Sequence, residues 1–380
     1  MSRLRWTTAG ESHGAALVGV LEGLPSGLPL DLQRANAELA RRQRGYGRGG
    51  RMKIERDEIE LLSGTRGGIT LGSPVSFSIR NHDATIERLP VPTNPRPGHA
   101  DLAGCQKHGH RDPRAVLERA SARETAARVA IAAIARQVLE RFEIGVFAHV
   151  VELGGVQAAA SGVEGSSERR DASEFFCLDP VAEPAMRAAV DEARAAGDSL
   201  GGVFEVRALG LPPGLGSYAS GPERLTARIG GALFSIPAIK GVEFGLGFEA
   251  ARRRGSAVQD PIVPAAGGGG PRGARTRRET NRAGGLEGGM TTGEPLVVRA
   301  AMKPIPTMRR GARTVEFETL EPVEATYQRS DVTSVPAASV VGEAMVALVL
   351  AEAFLEKFGG DSIAEVEAAF RAYLDRLRDI

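Results

Sequence analysis

The chain has 380 residues, a formal net charge of +1 and 42% hydrophobic residues, so it can bury a substantial core in one large domain or two ordinary ones. The near-zero net charge argues against a dedicated nucleic-acid binder, which usually carries an overall basic excess. Two cysteines exclude a disulfide framework, and no signal core or run of membrane-span length is evident, so we expect a cytoplasmic protein without membrane contact.

The first motif, Gly10–Gly14, matches the Gly-x-Ser-x-Gly pattern of hydrolase nucleophile elbows. An elbow serine follows several strands of a parallel sheet, and the residues before Ser12 are too few to build one. We therefore reject a serine hydrolase. What remains is His13 in a glycine-flanked turn, which is either a plain surface turn or part of a site.

Leu32–Arg42 has helical spacing with Asp31 as a candidate N-cap. It leads into Arg41–Lys53, an Arg-rich, Gly-spaced run with six cations and no acid. Glycines let the backbone turn so that several guanidinium groups can converge, and Arg makes forked contacts with phosphate and carboxylate. The run predicts an anion site. RNA binding is the alternative, but such segments tend to be repeated and rich in aromatics, and this run occurs once with only Tyr46.

A loop predicted over Asn81–Pro113 follows two segments that alternate like strands. A bend at Pro97-Gly98 is expected to aim Arg96 and His99 in the same direction. His and carboxylate side chains in the same loop raise the possibility of a metal site, but His-x-His in a polar loop is usually solvated, so we predict none. The strand segments are Ile54–Leu62 and Pro74–Ile79, and the potential ligands are His108, His110 and Asp112.

Two segments, Arg119–Phe142 and Ala337–Phe358, predict helices that are apolar on every side over much of their length. Such helices must be covered all round, which predicts a buried helical layer between other layers such as sheets. Pro336 suits the first turn of the second helix. The first helix opens with Arg119 and Arg123, which we expect on one face near a helix N-terminus that favours anions.

The remaining segments add three candidate ligand contacts. Gly284–Gly293 permits close backbone approach to a flat or phosphorylated ligand, although no Walker lysine follows. Lys303, one of five lysines, stands among prolines that stiffen its setting. Arg329-Ser330-Asp331 either caps the second apolar helix or orients a ligand and accepts a proton. Ala265–Gly289 is predicted as a mobile lid or a surface insertion, with strands at Val146–Leu153 and Gly202–Ala208 and helices at Pro184–Ala196, Glu223–Ile236 and Ser362–Ile380.

Together these blocks resemble the signatures of chorismate synthase, in the order of that family, from Gly10 to about Gly342. The resemblance implies an α+β fold, a β-α-β sandwich with a central helical layer between antiparallel sheets, in a single catalytic domain over residues 1–380. It also implies a homotetramer. The matching blocks are Gly10–Gly14, the Arg run ending at Arg51-Met52, Arg96–Leu102, Ser121–Arg128, Gly241–Gly245, Asn281–Gly293, Lys303–Thr307 and Arg329–Asp331.

The implied reaction converts 5-enolpyruvylshikimate 3-phosphate to chorismate and phosphate by 1,4-anti elimination, the last step of the shikimate pathway. It requires reduced FMN without net redox change, supplied by an external flavin reductase or by NADPH. By resemblance, His13 would protonate or hydrogen-bond the departing phosphate, His99 would stabilise the reduced flavin, and Asp331, assisted by Ser330, would accept a proton at flavin N5. The substrate-binding residues would be Arg42, Arg48, Arg96, Arg123 and Arg329, with Arg51 close by.

The resemblance also assigns a set of FMN contacts, two of which depart from the family. Ala120 stands where many relatives have Ser, and Pro237 stands where many have Asn or Gln. Because Pro237 has no N–H to donate, we expect FMN affinity to differ from that of typical relatives. The implied FMN contacts are Arg119, Ala120, Ser121, Ala122, Pro237, Ala238, Gly288, Lys303, Pro304, Ile305, Pro306, Thr307, Arg329 and Ser330.

Overall fold

A computed structural model of the chain describes residues 4–49, 55–159, 166–265, 267, 269–325 and 331–379. Its strands pair in antiparallel fashion, and two sheets of four and five strands dominate. The strands are β1 Arg5–Ala9, β2 Ala16–Glu22, β3 Glu60–Ser63, β4 Thr65–Arg66, β5 Ile69–Thr70, β6 Val75–Arg80, β7 Gly145–Leu153, β8 Val156–Gln157, β9 Gly202–Leu209, β10 Ile239–Phe244, β11 Ile262–Pro264, β12 Thr276–Arg278, β13 Leu286–Glu287, β14 Met290–Thr291, β15 Leu296–Met302, β16 Arg313–Val315 and β17 Pro322–Glu324.

The two large sheets have the strand orders β1-β2-β6-β3 and β10-β15-β9-β7-β8. Short 3-10 turns occur in the connections, including Ile86–Arg88 and Ala122–Glu124. The helices are α1 Leu32–Gln43, α2 Asp101–His108, α3 Arg114–Leu117, α4 Thr125–Arg141, α5 Ser166–Ala172, α6 Glu183–Ala196, α7 Leu225–Phe234, α8 Val335–Phe358 and α9 Ile363–Leu377.

The two all-apolar helices, α4 and α8, form the centre of the sandwich. α4 packs on β2 and α8 on its two faces, and α8 packs on β7 and β9 of the larger sheet. Gly342 brings α8 close to that sheet, since a Cβ there would lie 2.2 Å from the ring of Phe204. The predicted α+β sandwich with a central helical layer is therefore confirmed.

One expectation from composition needs correction, because a run of membrane-span length does exist. α8 has 24 residues with a mean hydropathy of 1.9 over its most apolar window, which is long and apolar enough to cross a bilayer. However, 94% of that window is buried inside the protein. Length and composition are weak evidence for a membrane span in this case, and the burial is that of a core helix.

Helix ends follow the local capping chemistry. Asp31 caps α1 as predicted, with its carboxylate accepting from the backbone N–H groups of Gln33 and Arg34. Ser362 and Glu365 form a capping box at the start of α9, and Pro336 occupies the first turn of α8.

Four predicted elements were wrong in extent or content. Residues 55–59 alternate between buried and exposed positions, yet they are not a strand, because partners such as Asn36 Oδ1, which accepts from Ile59 N at 2.9 Å, replace a β-ladder. The predicted loop Asn81–Pro113 contains α2, closed by Gly109 in the left-handed region. The helix predicted from Arg119 begins only at Thr125. Ala265–Gly289 includes β12, which pairs with β11, and Ile54 lies outside the described residues.

Candidate active site

The arginines of the Gly-spaced run do not all converge: Arg42 and Arg48 lie near each other, whereas Arg41 and Arg44 point elsewhere. Arg41 reaches into the helical layer and donates to Glu343 Oε1 at 2.7 Å and Oε2 at 3.0 Å. Arg44 donates to the carbonyl of Asp171. Successive helical residues point about 100° apart, which separates Arg41 from Arg42. Because Arg41 and Arg42 are 6% and 5% exposed, they are not available to an extended polyanion such as RNA.

Arg42 and Arg123 form a buried arginine pair around one carboxylate. Arg123 Nη1 lies 2.5 Å from Asp57 Oδ1, and Arg42 Nη1 lies 3.7 Å from Asp57 Oδ2. Within the described structure, Arg42 Nη1 and Arg123 Nη2 donate no hydrogen bond although both are buried. Burial lowers the pKa of Arg42 to about 10, with the charge of Asp57 opposing and those of Arg48 and Arg123 adding to the shift. The pair is therefore suited to receive an anion.

Other guanidinium nitrogens of Arg42 and Arg123 donate hydrogen bonds that hold the two side chains in place. Arg42 Nε donates to Thr125 Oγ1 at 3.0 Å, and Arg42 Nη2 donates to the carbonyl of Ala122 at 2.8 Å. Arg123 Nε donates to Asn81 Oδ1 at 2.9 Å. α1, the turn before α4 and the end of β6 thus meet at this point.

Arg48 and Asp331 form an ion pair close to the buried arginine pair of Arg42 and Arg123. Arg48 Nη1 lies 2.8 Å from Asp331 Oδ2. The same carboxylate accepts from Gly49 N at 2.6 Å and from Ser334 Oγ at 2.9 Å. Asp331 is therefore occupied by three donors, so its role as a proton acceptor would require at least one of them to move.

His13 is oriented by a buried acid. His13 Nδ1 lies 2.8 Å and His13 N lies 3.0 Å from Glu118 Oε2, while His13 Nε2 lies 3.8 Å from Asp83 Oδ2. Burial alone would raise the pKa of Glu118, but its hydrogen bonds to His13 and Arg114 lower it. Because Nδ1 faces Glu118, Nε2 is the ring nitrogen left to act on a ligand.

The His13 turn adjoins the arginine pair through Asn81 and Ser121. Asn81 Nδ2 donates to the carbonyl of Gly14 at 2.8 Å, and Asn81 Oδ1 accepts from Arg123. Ser121 Oγ lies 3.2 Å from Ser12 Oγ. A residue proposed to act on a leaving group thus lies beside two residues proposed to bind an anion.

Arg119 and Arg123 do not share a face, contrary to expectation. Arg119 turns to β1, donating to the carbonyls of Thr8 at 2.9 Å and Gly10 at 3.0 Å. The physical reason is that residues 122–124 form a 3-10 turn before α4, so the spacing of an α-helix does not apply there.

Arg96 and His99 do point the same way, as the bend predicted. Arg96 Nε donates to Asp101 Oδ2 at 2.8 Å, His99 Nδ1 lies 2.5 Å from Asp101 Oδ1, and Arg96 Nη2 lies 3.1 Å from His99 Nδ1. Burial alone would raise the pKa of Asp101, but these hydrogen bonds hold it well below its ordinary value. Arg96 Nη1 also lies 3.4 Å from Thr307 Oγ1.

The proline-flanked lysine segment packs on the same loop. Lys303 Nζ donates to the carbonyl of Gly98 at 2.6 Å, and Lys303 N donates to the carbonyl of Ala238 at 3.0 Å. Gly98 permits this approach, since a Cβ there would lie 2.9 Å from Lys303 Nζ. Ser199 Oγ donates to the carbonyl of Ile305 at 2.7 Å, so β9 and the segment before it support the lysine.

This donor set fits the flavin phosphate that the resemblance implies. An ammonium has three protons, and the bond of Lys303 to Gly98 uses one of them. The prolines and Ile305 beside it add apolar surface for a ring system. Ala238 holds a left-handed φ of 70°, a backbone conformation costly for a residue with a side chain and common at ligand sites.

Some assigned residues lie apart from this group or outside the described residues. Gly288 lies in the turn between β13 and β14, where Gly289 O accepts from Leu225 N at the start of α7. Ala238 follows the other end of that ten-residue helix, about 15 Å away. Arg51, Arg329 and Ser330 are outside the described residues.

Sequence reasoning missed the acids that organise these arginines and histidines. Asp101 has a local signal, since it follows His99 by two residues in the same turn. Glu118 is 105 positions from His13, and no pattern in the sequence pairs them. Further missed partners are Glu55, Asp57, Asn81 and Asp83.

A cavity of about 320 Å³ lies elsewhere, on the face of the five-stranded sheet that turns away from α8. It is lined by charged residues including His149, Glu205, Arg207 and Arg299, and by none of the residues assigned above. Burial lowers the pKa of His149 to about 4, so this imidazole is neutral at pH 7. In the described part of the chain, no group of three or more His, Cys, Asp or Glu residues is arranged to hold a metal ion.

Comparison with known proteins gives the same family by sequence and by structure. The family model described as chorismate synthase matches residues 4–355. A chorismate synthase from Desulforudis audaxviator is 53% identical over 389 residues, covering 99% of this chain and 98% of the relative. One from Trichlorobacter lovleyi is 53% identical, covering 99% and 100%. A solved crystal structure of chorismate synthase has a TM-score of 0.81 and 43% identity, covering 100% of this chain and 99% of that chain.

Proposed function

This chain belongs to the chorismate synthase family, a family of carbon–oxygen lyases, and from that premise we propose that it converts 5-enolpyruvylshikimate 3-phosphate to chorismate and phosphate. The reaction is a 1,4-anti elimination at the end of the shikimate pathway, which leads to the aromatic amino acids. The observation that carries the proposal is the buried arginine pair beside His13, with one guanidinium nitrogen of each arginine free of hydrogen bonds within the described structure.

The substrate is a phosphorylated dicarboxylate, and the site is rich in fixed cations. Arg42 and Arg123 are held by side-chain and backbone partners and cannot swing to solvent. Each charge-assisted hydrogen bond to the substrate contributes on the order of 1.5–3 kcal/mol. Fixed donors also hold the leaving group in one orientation, which lowers the entropic part of the barrier. We propose that Arg48, Arg96, Arg51 and Arg329 also contribute to the anion site.

His13 is proposed to donate a proton or hydrogen bond to the departing phosphate through Nε2. Glu118 fixes the ring by binding Nδ1 and the backbone N–H of the same residue. Expulsion of a phosphate leaves negative charge on its bridging oxygen, and a donor fixed near that oxygen stabilises the transition state. Asp331, assisted by Ser330, is proposed to serve as the proton acceptor for flavin N5, after release from Arg48 or Ser334.

Reduced FMN is the proposed cofactor; when bound, it would lend an electron to the elimination and regain it, so that no net redox change results. Lys303 and Thr307 would hold its phosphate tail, and Arg119 and Ser121 would line its site. His99, fixed by Asp101, would lie beside its ring and favour the anionic form. Gly288 and Pro237 remain predicted contacts.

We further propose a homotetramer in a cytoplasmic setting. The reductant would be an external flavin reductase, with NADPH as the alternative source. Lid closure of residues 265–289 and the assembly contacts remain predictions.

The direct test is an anaerobic assay with chemically reduced FMN and 5-enolpyruvylshikimate 3-phosphate. We expect stoichiometric release of phosphate together with chorismate. Oxidised FMN in place of reduced FMN is the control and should give no turnover. Absence of phosphate release with reduced flavin, from protein with a cooperative melting transition, would contradict the proposed function.

Replacing Arg48 by alanine should chiefly raise the KM for the substrate. Loss of one charge-assisted contact corresponds to roughly a tenfold to hundredfold increase, with a smaller change in kcat. Steady-state kinetics would measure both values. Arg44→Ala is the matched control, because this arginine belongs to the same run but binds the carbonyl of Asp171. Unchanged kinetics for Arg48→Ala would place Arg48 outside the substrate site.

A further inference from the structure

We infer that Asp57 is a positioning residue, whose single carboxylate aligns Arg42 and Arg123 and balances their charges until an anionic substrate binds. The inference rests on the proposed anion-binding role of this arginine pair. Asp57 lies in residues 55–59, which the alternating pattern predicted as part of a strand. It is not among the site residues that the resemblance implies.

The position of Asp57 is unusual for a carboxylate. Its side chain is 0% exposed, and its two oxygens face two different arginines, with Oδ1 at 2.5 Å from Arg123 Nη1 and Oδ2 at 3.7 Å from Arg42 Nη1. The two arginines approach from different elements, α1 and the turn before α4. One carboxylate therefore lies between two guanidinium groups that share no other ion-pair partner in the described structure, hydrogen-bonded to Arg123 and within ion-pair distance of Arg42.

The contacts of Asp57 are unequal, and this has a consequence for binding. The short contact to Arg123 is a hydrogen bond, whereas Oδ2 forms none within the described structure. Arg42 is thus compensated electrostatically without being tied to Asp57. A substrate oxygen can bind Arg42 Nη1 and Arg123 Nη2 without first breaking a hydrogen bond of either nitrogen.

Glu55 extends this arrangement toward His13. Glu55 Oε2 lies 3.6 Å from Arg123 Nη2 and accepts from His82 N at 3.0 Å. The next residue, Asp83, lies 3.8 Å from His13 Nε2. One short segment, residues 55–57, therefore contacts the arginine pair and supports the loop beside His13, which links anion binding with the position of the proposed proton donor.

A positioning role and a purely structural role differ in their effect on anion binding. Removing the charge of Asp57 leaves Arg42 without this counter-ion and Arg123 with Glu55 at 3.6 Å, so an anion should bind at least as tightly as before. It also removes the alignment, and a displacement of about 1 Å can lower turnover on the order of 10²-fold. A purely structural loss would weaken phosphate binding and turnover together.

The test compares Asp57→Asn with Glu58→Gln, an exposed acid in the same segment. Two quantities are measured on the full chain: kcat with reduced FMN, and the rise in melting temperature caused by inorganic phosphate. For Asp57→Asn we expect kcat to fall on the order of 10²-fold with a phosphate-induced rise equal to or larger than that of the wild type. Glu58→Gln should match the wild type in both.

Asp57→Glu covers the case in which Asp57→Asn does not fold. It keeps the charge but moves the carboxylate by one methylene, so kcat should fall while the phosphate-induced rise in melting temperature is kept. Wild-type kcat in the folded variants would overturn the inference, and so would loss of the phosphate effect in Asp57→Asn. If the wild type itself gives no turnover while phosphate still raises its melting temperature, this result would contradict the proposed reaction but would not contradict the positioning role of Asp57.

Discussion

His13→Ala is expected to lower kcat by about 10²–10⁴-fold, the usual contribution of a positioned general acid. The affinity for FMN should change far less, because the proposed flavin contacts lie on other segments, around Lys303 and Arg119. Turnover under anaerobic conditions and flavin binding by fluorescence titration would measure the two effects separately. A fall in kcat that greatly exceeds the loss of FMN affinity would assign His13 to the chemical step.

The contacts of Glu118 explain why loss of His13 should lower kcat without a large loss of fold stability. Glu118 keeps a partner in Arg114, whose Nη1 lies 3.0 Å away, so loss of the imidazole does not leave a buried carboxylate unpaired. His110→Ala is the matched control, since His110 is exposed. A His13→Ala variant with near wild-type turnover would remove His13 from the mechanism, and a large drop in its melting temperature would point to a structural cause.

Glu343→Gln is expected to destabilise the fold strongly, by about 3–5 kcal/mol in the free energy of unfolding. Glu343 lies in α8 and is 1% exposed. It accepts from Arg41, Arg136, Arg170 and the backbone N–H of Ala148, with distances between 2.7 and 3.2 Å. Removal of its charge leaves three arginines in the sandwich without their shared counter-ion. Urea denaturation would measure the loss.

The pH dependence of this effect has a definite sign. Burial alone would raise the pKa of Glu343, but the charges of Arg41 and Arg136 hold it well below its ordinary value of 4.5. A carboxylate with a depressed folded-state pKa stabilises the fold above its unfolded pKa, and this stabilisation is lost as the pH falls below about 4.5. The stability difference between wild type and Glu343→Gln should therefore be large at pH 7 and shrink toward pH 3.

Glu352→Gln on the same helix is the matched control. Glu352 is partly exposed and pairs with Arg228 at 2.9 Å, so its loss should cost no more than about 1 kcal/mol. Equal stability losses in the two variants, or a Glu343→Gln loss that does not depend on pH, would contradict the role of Glu343 as a shared counter-ion. Because Arg41 adjoins Arg42, this buried cluster also anchors the end of α1 that carries Arg42, one of the proposed substrate-binding residues.

Much of the fold was predictable because it depends on local composition. α4 and α8 have no polar face, and a helix of that kind must be covered on all sides. Asp31 and Pro336 are capping and first-turn residues whose preference is local. The strand predicted at residues 55–59 was wrong because alternating burial there has another cause. Glu55 and Asp57 turn inward to arginines and do not pair in a sheet.

The site was predictable in its residue types and much less in its geometry. The bend at Pro97-Gly98 brought Arg96 and His99 together as expected, because they are only three residues apart. By contrast, the predicted convergence of the arginines in the run does not extend to Arg41 and Arg44. Arg41 and Arg42 are neighbours in sequence, yet one binds Glu343 in the helical layer and the other lies beside Asp57.

The sequence by itself determined that this protein has a buried helical layer and a histidine in a glycine-flanked turn, and it predicted an anion site in the Arg-rich run. Only the tertiary structure decided which arginines are available to an anion and which acids hold them. The physical reason is that a buried charge is defined by its partner, and these partners are distant in sequence: Glu118 lies 105 positions from His13, and Glu343 lies 302 positions from Arg41. Local spacing can place a side chain on a helix face, but the fold alone brings its counter-charge to it.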